Sequence, residues 1–186
     1  NTTILYADYT VSGATITDTY AAGVLGTDTA ALVALSGTAT SNFVYKSEAH
    51  TVTPSTVYTY SFYAKLGTIV APLIAIYDVT NAAFIEVNIA YPNASTTELV
   101  RQEITFTTPV GCVSVRPYIA RGCGTAGTLI VDAPQLEAGS AASSLIPTTT
   151  AAVTRDADVL RYNTVNWFAD GQAGTIQVDA DLVYLA

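Results

Sequence analysis

Apolar and polar residues alternate along much of the chain, and short turn clusters interrupt the alternation roughly every eight to twelve positions, the spacing of a sandwich or barrel. Thr, Val, Ile and Tyr dominate the alternating stretches, as a pleated, half-buried surface favours. The pattern predicts strands over Ala30 to Ser36, Asn42 to Val52, Thr56 to Lys65, Ile69 to Asp78, Ala83 to Tyr91, Glu98 to Thr107, Cys112 to Ala120 and Gly127 to Leu136. Strands on this scale suffice for two packed antiparallel sheets. No stretch carries helical periodicity with caps. The fold expected is therefore all-β, an antiparallel β-sandwich.

Side-chain alternation also assigns faces. Tyr58, Tyr60, Phe62 and Ala64 form the inward side of their strand, which turns Thr59, Ser61, Tyr63 and Lys65 outward. Val113, Val115, Pro117 and Ile119 are expected inside, with Ser114, Arg116 and Tyr118 outside. Ile85, Val87 and Ile89 are expected inside, with Glu86 and Asn88 outside.

Beyond Leu136 the character changes. Gly139 to Val153 is rich in Ser, Ala and Thr and reads as an extended tail; Asp156 to Leu160 fits a short helical turn. Alternation returns over Gly174 to Leu185, predicting an edge strand, an exchanged strand or the start of a following domain. The expected organisation is a sandwich over residues 1–138, a junction over 139–160 and a C-terminal segment over 161–186, with Trp167 and Phe168 as a packing anchor.

Composition narrows the classes. Of 186 residues, 50% are hydrophobic and 12% charged, the reverse of a disordered chain. Apolar runs such as Thr68 to Tyr77 end near ten residues, about half of what a membrane-spanning helix needs. Fifteen acids against seven bases give a net charge of −8, which argues against a nucleic-acid partner. The chain has no Met, and its first residues lack the basic start and apolar stretch of a secretory signal, so it reads as an excised or trimmed segment.

Catalytic chemistry finds little footing. The one histidine, His50, sits between Ala49 and Thr51 in a predicted strand and reads as structural. Glu86 and Glu103 lie on separate strands and read as solvent-facing charges rather than a glycosidase pair. Eleven residues of mostly extended chain separate Cys112 from Cys123, at about 3.3 Å each, whereas a disulfide holds Cα atoms within about 7 Å. No bridge is expected; Cys112 reads as a small buried residue and Cys123 as a free or intermolecular thiol.

One segment carries a resemblance. Ala133 to Asp158 contains Gln135-Leu136-Glu137, Gly139, Ser143, Ile146-Pro147-Thr148, Ala152-Val153-Thr154-Arg155 and Ala157-Asp158. It resembles the QLE-x-G-x-x-x-S-x-x-IPT-x-x-x-AVTR-x-AD segment that ends carbohydrate-binding-module-like jelly rolls in phage tail fibres, tailspikes and head fibres. Tyr58 to Lys65 is similar to the same family's YTFSFYAK strand, and Ile104 to Pro109 to its TFTTP strand. Gly127 to Glu137 resembles its last core strand, while Gly26 to Ala30 keeps only part of its early DG-x-x-TA turn. The resemblance implies a jelly-roll module with an extended C-terminal tail on a virion, homotrimeric, facing outward and in contact with other virion proteins. It also implies a host-surface glycan as partner. A structural virion protein without a ligand and a sugar-binding module of a polysaccharide-degrading enzyme are the alternatives.

Glycans are held by rings against their apolar faces with polar groups fixing orientation. If the outward faces belong to one sheet, Tyr63, Lys65, Glu86, Asn88, Arg116 and Tyr118 would line a sugar groove; otherwise they are solvated or protein-contact residues. Several modules of this kind carry a structural calcium, and Asp132 matches the place of their last-strand acidic ligand, with Asp18 or Asp28 as further donors. No other cofactor is expected.

Overall fold

The alternating stretches pair into two antiparallel sheets packed face to face. The computed structural model describes residues 8–24, 26–36 and 42–146. Among these, eleven strands run in chain order: β1 (Tyr9–Ser12), β2 (Ala14–Gly23), β3 (Gly26–Leu35), β4 (Phe43–Lys46), β5 (His50–Thr51), β6 (Val57–Leu66), β7 (Leu73–Asp78), β8 (Ala83–Ala90), β9 (Val100–Thr107), β10 (Ser114–Arg121) and β11 (Gly127–Ala138). Sheet A has the order β1-β4-β10-β7-β8, with β5 also pairing β10; sheet B has the order β2-β3-β11-β6-β9. The all-β antiparallel sandwich expected from the sequence is the architecture found. No helix among the described residues is long and apolar enough to cross a membrane.

The core lies between the sheets. Phe62, Ile74, Ile76, Ile119, Leu129, Val33 and Val131 are all at most 1% exposed. Each such side chain contributes roughly 1.5–3 kcal/mol by leaving water. In β6 the predicted inward residues Tyr60, Phe62 and Ala64 are buried in this core, with Tyr58 packed against it. In β10, Val115 and Ile119 are inside as expected, whereas Val113 precedes the strand and is 50% exposed.

The strands differ from the sequence reading in three places. β1 and β2 were not expected as strands; the half-buried side of β2 begins with Ala14, Ile16 and Asp18, too mixed a set to form an apolar stripe. The single strand expected over Asn42 to Val52 is two, β4 and β5, separated by a bend at Ser47 and Glu48. β7 starts at Leu73, and Ile69 enters the core from the loop before it.

Pro117 is accommodated in a central strand because of where it falls. Ser114 and Val115 pair with β5, and Tyr118 onward pairs with β4, so Pro117 lies in the gap between the two partners. Its missing N–H costs no ladder bond on that side. A bulge follows: Tyr118 stands opposite Tyr45 and Ala120 opposite Val44. Ile119 and Ala120 are both fully buried, and the extra residue returns Arg121 to the outer face that Tyr118 occupies.

The outer face of sheet B is covered by the chain leaving β11. Gly139, at φ 133°, turns the backbone, and residues 139–146 cross β6 and β9. Thr59 Oγ1 donates to the Gly139 carbonyl at 2.9 Å and Thr105 Oγ1 to the Ser140 carbonyl at 3.3 Å. Arg101 donates to the Ser143 carbonyl and, at 2.9 Å, to Ser61 Oγ. Ser143 N–H donates to the Glu137 carboxylate at 3.1 Å, and Ile146 N–H to Gln135 Oε1 at 2.9 Å. Thr59 and Ser61, which alternation turns outward, are consequently 0% exposed. Of the residues expected as an extended junction, 139–146 form a strap. The rest of the junction, the C-terminal strand and the Trp167 anchor lie outside the described residues.

Candidate functional site

Sheet A presents a very different outer face. Val44 is fully buried in the core, so its neighbours Phe43 and Tyr45 in β4 point the other way. Ile76 is likewise fully buried, which turns Tyr77 of β7 outward, and the register sets Tyr77 between Arg116 of β10 and Phe84 of β8. Tyr118 lies opposite Tyr45 on one side and Ala75 on the other. Aromatic residues thus arrive from β4, β7, β8 and β10 on one surface.

These rings form a continuous cluster. Tyr45 and Tyr118 have centroids 4.6 Å apart, Phe43 lies 5.3 Å from Tyr45 and 6.1 Å from Tyr118, Phe84 lies 5.9 Å from Tyr118, and Tyr77 lies 4.9 Å from Phe84. Offset and edge-on contacts of this kind are favourable by about 0.5–1.5 kcal/mol each. Tyr118 is the base of the cluster at 9% exposure, and Phe84 is the most open ring at 36%. Phe43, Tyr45 and Tyr77 are half-buried.

Two arginines frame the rings. The Arg116 guanidinium lies 5.3 Å from the centre of the Tyr45 ring, and that of Arg121 lies 4.0 Å from the centre of Phe84. Burial pushes the Tyr118 hydroxyl pKa above its ordinary value, Tyr45 adds to this, and Arg121 and Arg116 pull it back. The hydroxyl therefore stays protonated near neutral pH and is available as a donor or acceptor. The surface combines ring faces, hydroxyls and cationic forks, the groups that hold a polar ligand with apolar faces.

Of the six groove residues expected, Arg116 and Tyr118 belong to this surface. Tyr63 and Lys65 do not: β6 pairs with β11 and β9 in sheet B, so the expected single groove is divided between two sheets. Tyr63 lies opposite Arg101, whose guanidinium is 5.8 Å from the ring centre, beside the strap. Glu86 and Asn88 share sheet A, but β8 shifts register twice. Glu86 stands opposite the inward-facing Ile76, and Asn88, at φ 59°, falls within the first of these shifts, so simple alternation does not carry them to Tyr118's face.

Asp132 is a clasp. Its carboxylate is 0% exposed and accepts hydrogen bonds from Val24 N–H at 2.7 Å, Thr29 Oγ1 at 3.1 Å and Ala133 N–H at 2.9 Å. These donors tie the β2–β3 hairpin to β11. A calcium needs six to eight oxygens around it, and donors facing the carboxylate do not fit one. Among the described residues no three His, Cys, Asp or Glu side chains converge as a metal set. Gly23 is held to glycine here, because a Cβ would lie 2.0 Å from Asp132 Oδ2 and 2.3 Å from Thr29 Oγ1.

The other reactive side chains are enclosed. Cys112 and Cys123 are free and buried. Burial, then Asp78, pushes the Cys112 thiol up to about 11, and burial raises Cys123 as well, so neither is a ready nucleophile. Burial lowers the His50 pKa, Lys46 lowers it further and Glu48 opposes both. Glu86 lies in sheet A and Glu103 in sheet B, where Glu103 accepts from the Ala142 N–H of the strap. The described residues assemble no nucleophile with its base and no pair of opposed carboxyl groups.

No protein-family model matches the chain, and no curated protein matches it. Solved structures do. The CBM22-1 xylan-binding domain from Paenibacillus barcinonensis Xyn10C is similar at 15% identity and TM-score 0.54, over 76% of this chain and 91% of that one. A CBM4 structure matches at 17% and 0.51, over 72% and 96%. The enzymatically active domain of tailspike protein 4 of bacteriophage CBA120 matches at 13% and 0.51, over 72% of this chain but only 20% of that chain. The shared property is the fold, an antiparallel sandwich of the type found in non-catalytic carbohydrate-binding modules.

Proposed function

We propose that the domain is a non-catalytic glycan-binding module whose ligand lies on the outer face of sheet A. The observation that carries this reading is the cluster of Phe43, Tyr45, Tyr77, Phe84 and Tyr118, framed by Arg116 and Arg121, on a face that no described segment bridges with hydrogen bonds. Ring clusters on an outer sheet face supply the flat apolar contact that a sugar ring needs, and neighbouring hydroxyl and guanidinium groups fix its orientation. The likeness to carbohydrate-binding modules, including one that binds xylan, favours attachment to a polysaccharide-degrading enzyme.

A virion appendage is the second reading. The likeness to a tailspike domain supports it, together with the resemblance of Ala133 to Asp158 to a phage junction. Contact with other virion proteins, a homotrimeric state and an outward-facing location belong to that reading.

The test is a glycan array with the purified chain, followed by titration of the best ligand. Tyr45→Ala is expected to weaken binding at least about tenfold while the melting temperature stays within a few degrees. A folded chain that binds no glycan, or a Tyr45→Ala variant that binds as tightly as the parent, would overturn the proposal.

A further inference from the structure

Among the described residues, the two arginines on the sheet A face form no ion pair with a carboxylate. Among the described residues the ion pair that forms, Arg101 to Glu137 at 3.8 Å, is on sheet B. The charged groups acting on the Tyr118 hydroxyl are Arg121 and Arg116, with no carboxylate among them. Arg116 Nε is buried and has no hydrogen-bond partner, so one donor of its fork is unsatisfied. Arg101 Nε on sheet B is left the same way, so what sets Arg116 apart is that no carboxylate pairs with it among the described residues.

Neutral and acidic ligands load this face differently. A neutral sugar covering it would partly desolvate two guanidinium groups and return only neutral hydroxyl acceptors, the weaker exchange. A carboxylate returns charge-assisted hydrogen bonds, roughly twice as strong as neutral ones, in the planar geometry a guanidinium fork matches. The rings beneath hold Arg116 and Arg121 in place before a ligand arrives, so little side-chain freedom remains to be lost on binding. The chain as a whole carries −8, which repels anions at long range, so a cationic pair on this one face is a local feature rather than part of a basic surface.

We infer that this face, read as a glycan platform, selects acidic glycans: sugar rings stack on Tyr45 and Phe84 while Arg116 and Arg121 take the carboxylate of a uronic acid.

The inference rests on the glycan reading, and the experiment separates the two. Polygalacturonate, alginate, hyaluronate and glucuronoxylan are each titrated into the full chain beside their carboxyl-reduced forms, with poly-glutamate as a charged polymer lacking sugar. At least one acidic polymer is expected to bind about tenfold tighter than its reduced form, and poly-glutamate to bind far more weakly. The Arg116→Gln/Arg121→Gln variant is expected to lose that preference and bind the acidic and reduced polymers about equally. Arg116→Lys/Arg121→Lys, which preserves charge without the fork, is expected to retain only part of it. Equal binding of acidic and reduced forms would overturn the inference and leave the glycan platform standing. Poly-glutamate bound as tightly as the best polysaccharide would replace sugar recognition by charge alone. Failure of every polymer, acidic or reduced, would overturn both.

Discussion

The two outer faces of the sandwich start from similar strands and end in opposite states. On sheet B, the outward Thr59 and Ser61 of β6 lie beneath residues 139–146, held by Arg101, Glu103, Gln135 and Glu137. On sheet A, the outward residues are rings and guanidinium groups in contact mainly with one another. A polar face of short side chains and carboxylates can pair with a passing backbone, whose N–H and C=O groups need partners. A face made mainly of rings offers a backbone fewer such partners, and it suits a ligand with apolar surfaces and its own hydroxyls. The same fold thus uses one outer face to hold its own chain and presents the other for recognition.

The largest effect expected is on the open face. Tyr45→Ala/Phe84→Ala should weaken glycan binding roughly a hundredfold, since truncated aromatic anchors commonly cost 2 kcal/mol or more, and titration would read it directly. The same assay on Arg101→Ala should show unchanged binding. That variant should instead lose about 2 kcal/mol of stability in denaturant melts, because it removes the bonds to Ser143 and Ser61 and leaves Glu137 without its cation. If Arg101→Ala weakened binding as much as the ring variant, the division of labour between the faces would be broken.

A smaller effect concerns acid. Burial pushes the Glu137 carboxyl up, but hydrogen bonds from Ser143 and Gln135 and the Arg101 charge outweigh it, so its pKa is held below the usual carboxylate range. A depressed folded pKa means that this stabilisation is present above the unfolded value, near 4.3, and is lost as pH falls through the folded value. The protection of the Ser143 amide relative to its intrinsic exchange rate should therefore fall as pH drops below the ordinary carboxylate range, and Glu137→Gln should abolish that acid-dependent component. The smallest effect belongs to Lys65, on the sheet B side. Lys65→Ala should leave glycan binding unchanged and stability within about 0.5 kcal/mol, measured by titration and thermal melting.

Sequence periodicity was informative where one face of a strand is polar. It placed Phe62 inside and Thr59 and Ser61 outside in β6, and Arg116 and Tyr118 outside in β10, as the structure has them. It was uninformative where both faces are apolar. In β7, Ile74 and Ile76 alternate with Ala75 and Tyr77, so nothing in the pattern singles out Tyr77 as outward. In β4 the signal points the wrong way: Phe43 and Tyr45 form the more aromatic side, yet Val44 is the residue in the core. Most of the ring cluster was hidden for this reason. Besides Tyr118, Phe84 carried a usable signal, as the neighbour of the inward-expected Ile85.

Sheet membership was equally beyond periodicity. Alternation assigns a residue to a face, but only pairing assigns a strand to a sheet, and β6 and β10 lie in different ones. Bulges compound the difficulty: the one after Tyr118 brings Arg121 onto the site, and the two in β8 detach Glu86 and Asn88 from the expected alternation. The junction motif shows the reverse case. Gln135, Glu137, Gly139 and Ser143 stood out as a spaced set in the sequence, and each now has a physical role in turning or holding the strap.

Amide chemical-shift mapping of the isotope-labelled chain, titrated with the tightest ligand from the array, would decide between the faces most directly. The expected perturbations cluster on Tyr45, Tyr77, Phe84, Arg116, Tyr118 and Arg121, with the amides of β6 and β9 unmoved. Perturbations centred on Thr59, Ser61, Tyr63 and Lys65 would contradict the assignment and place recognition on the strapped sheet.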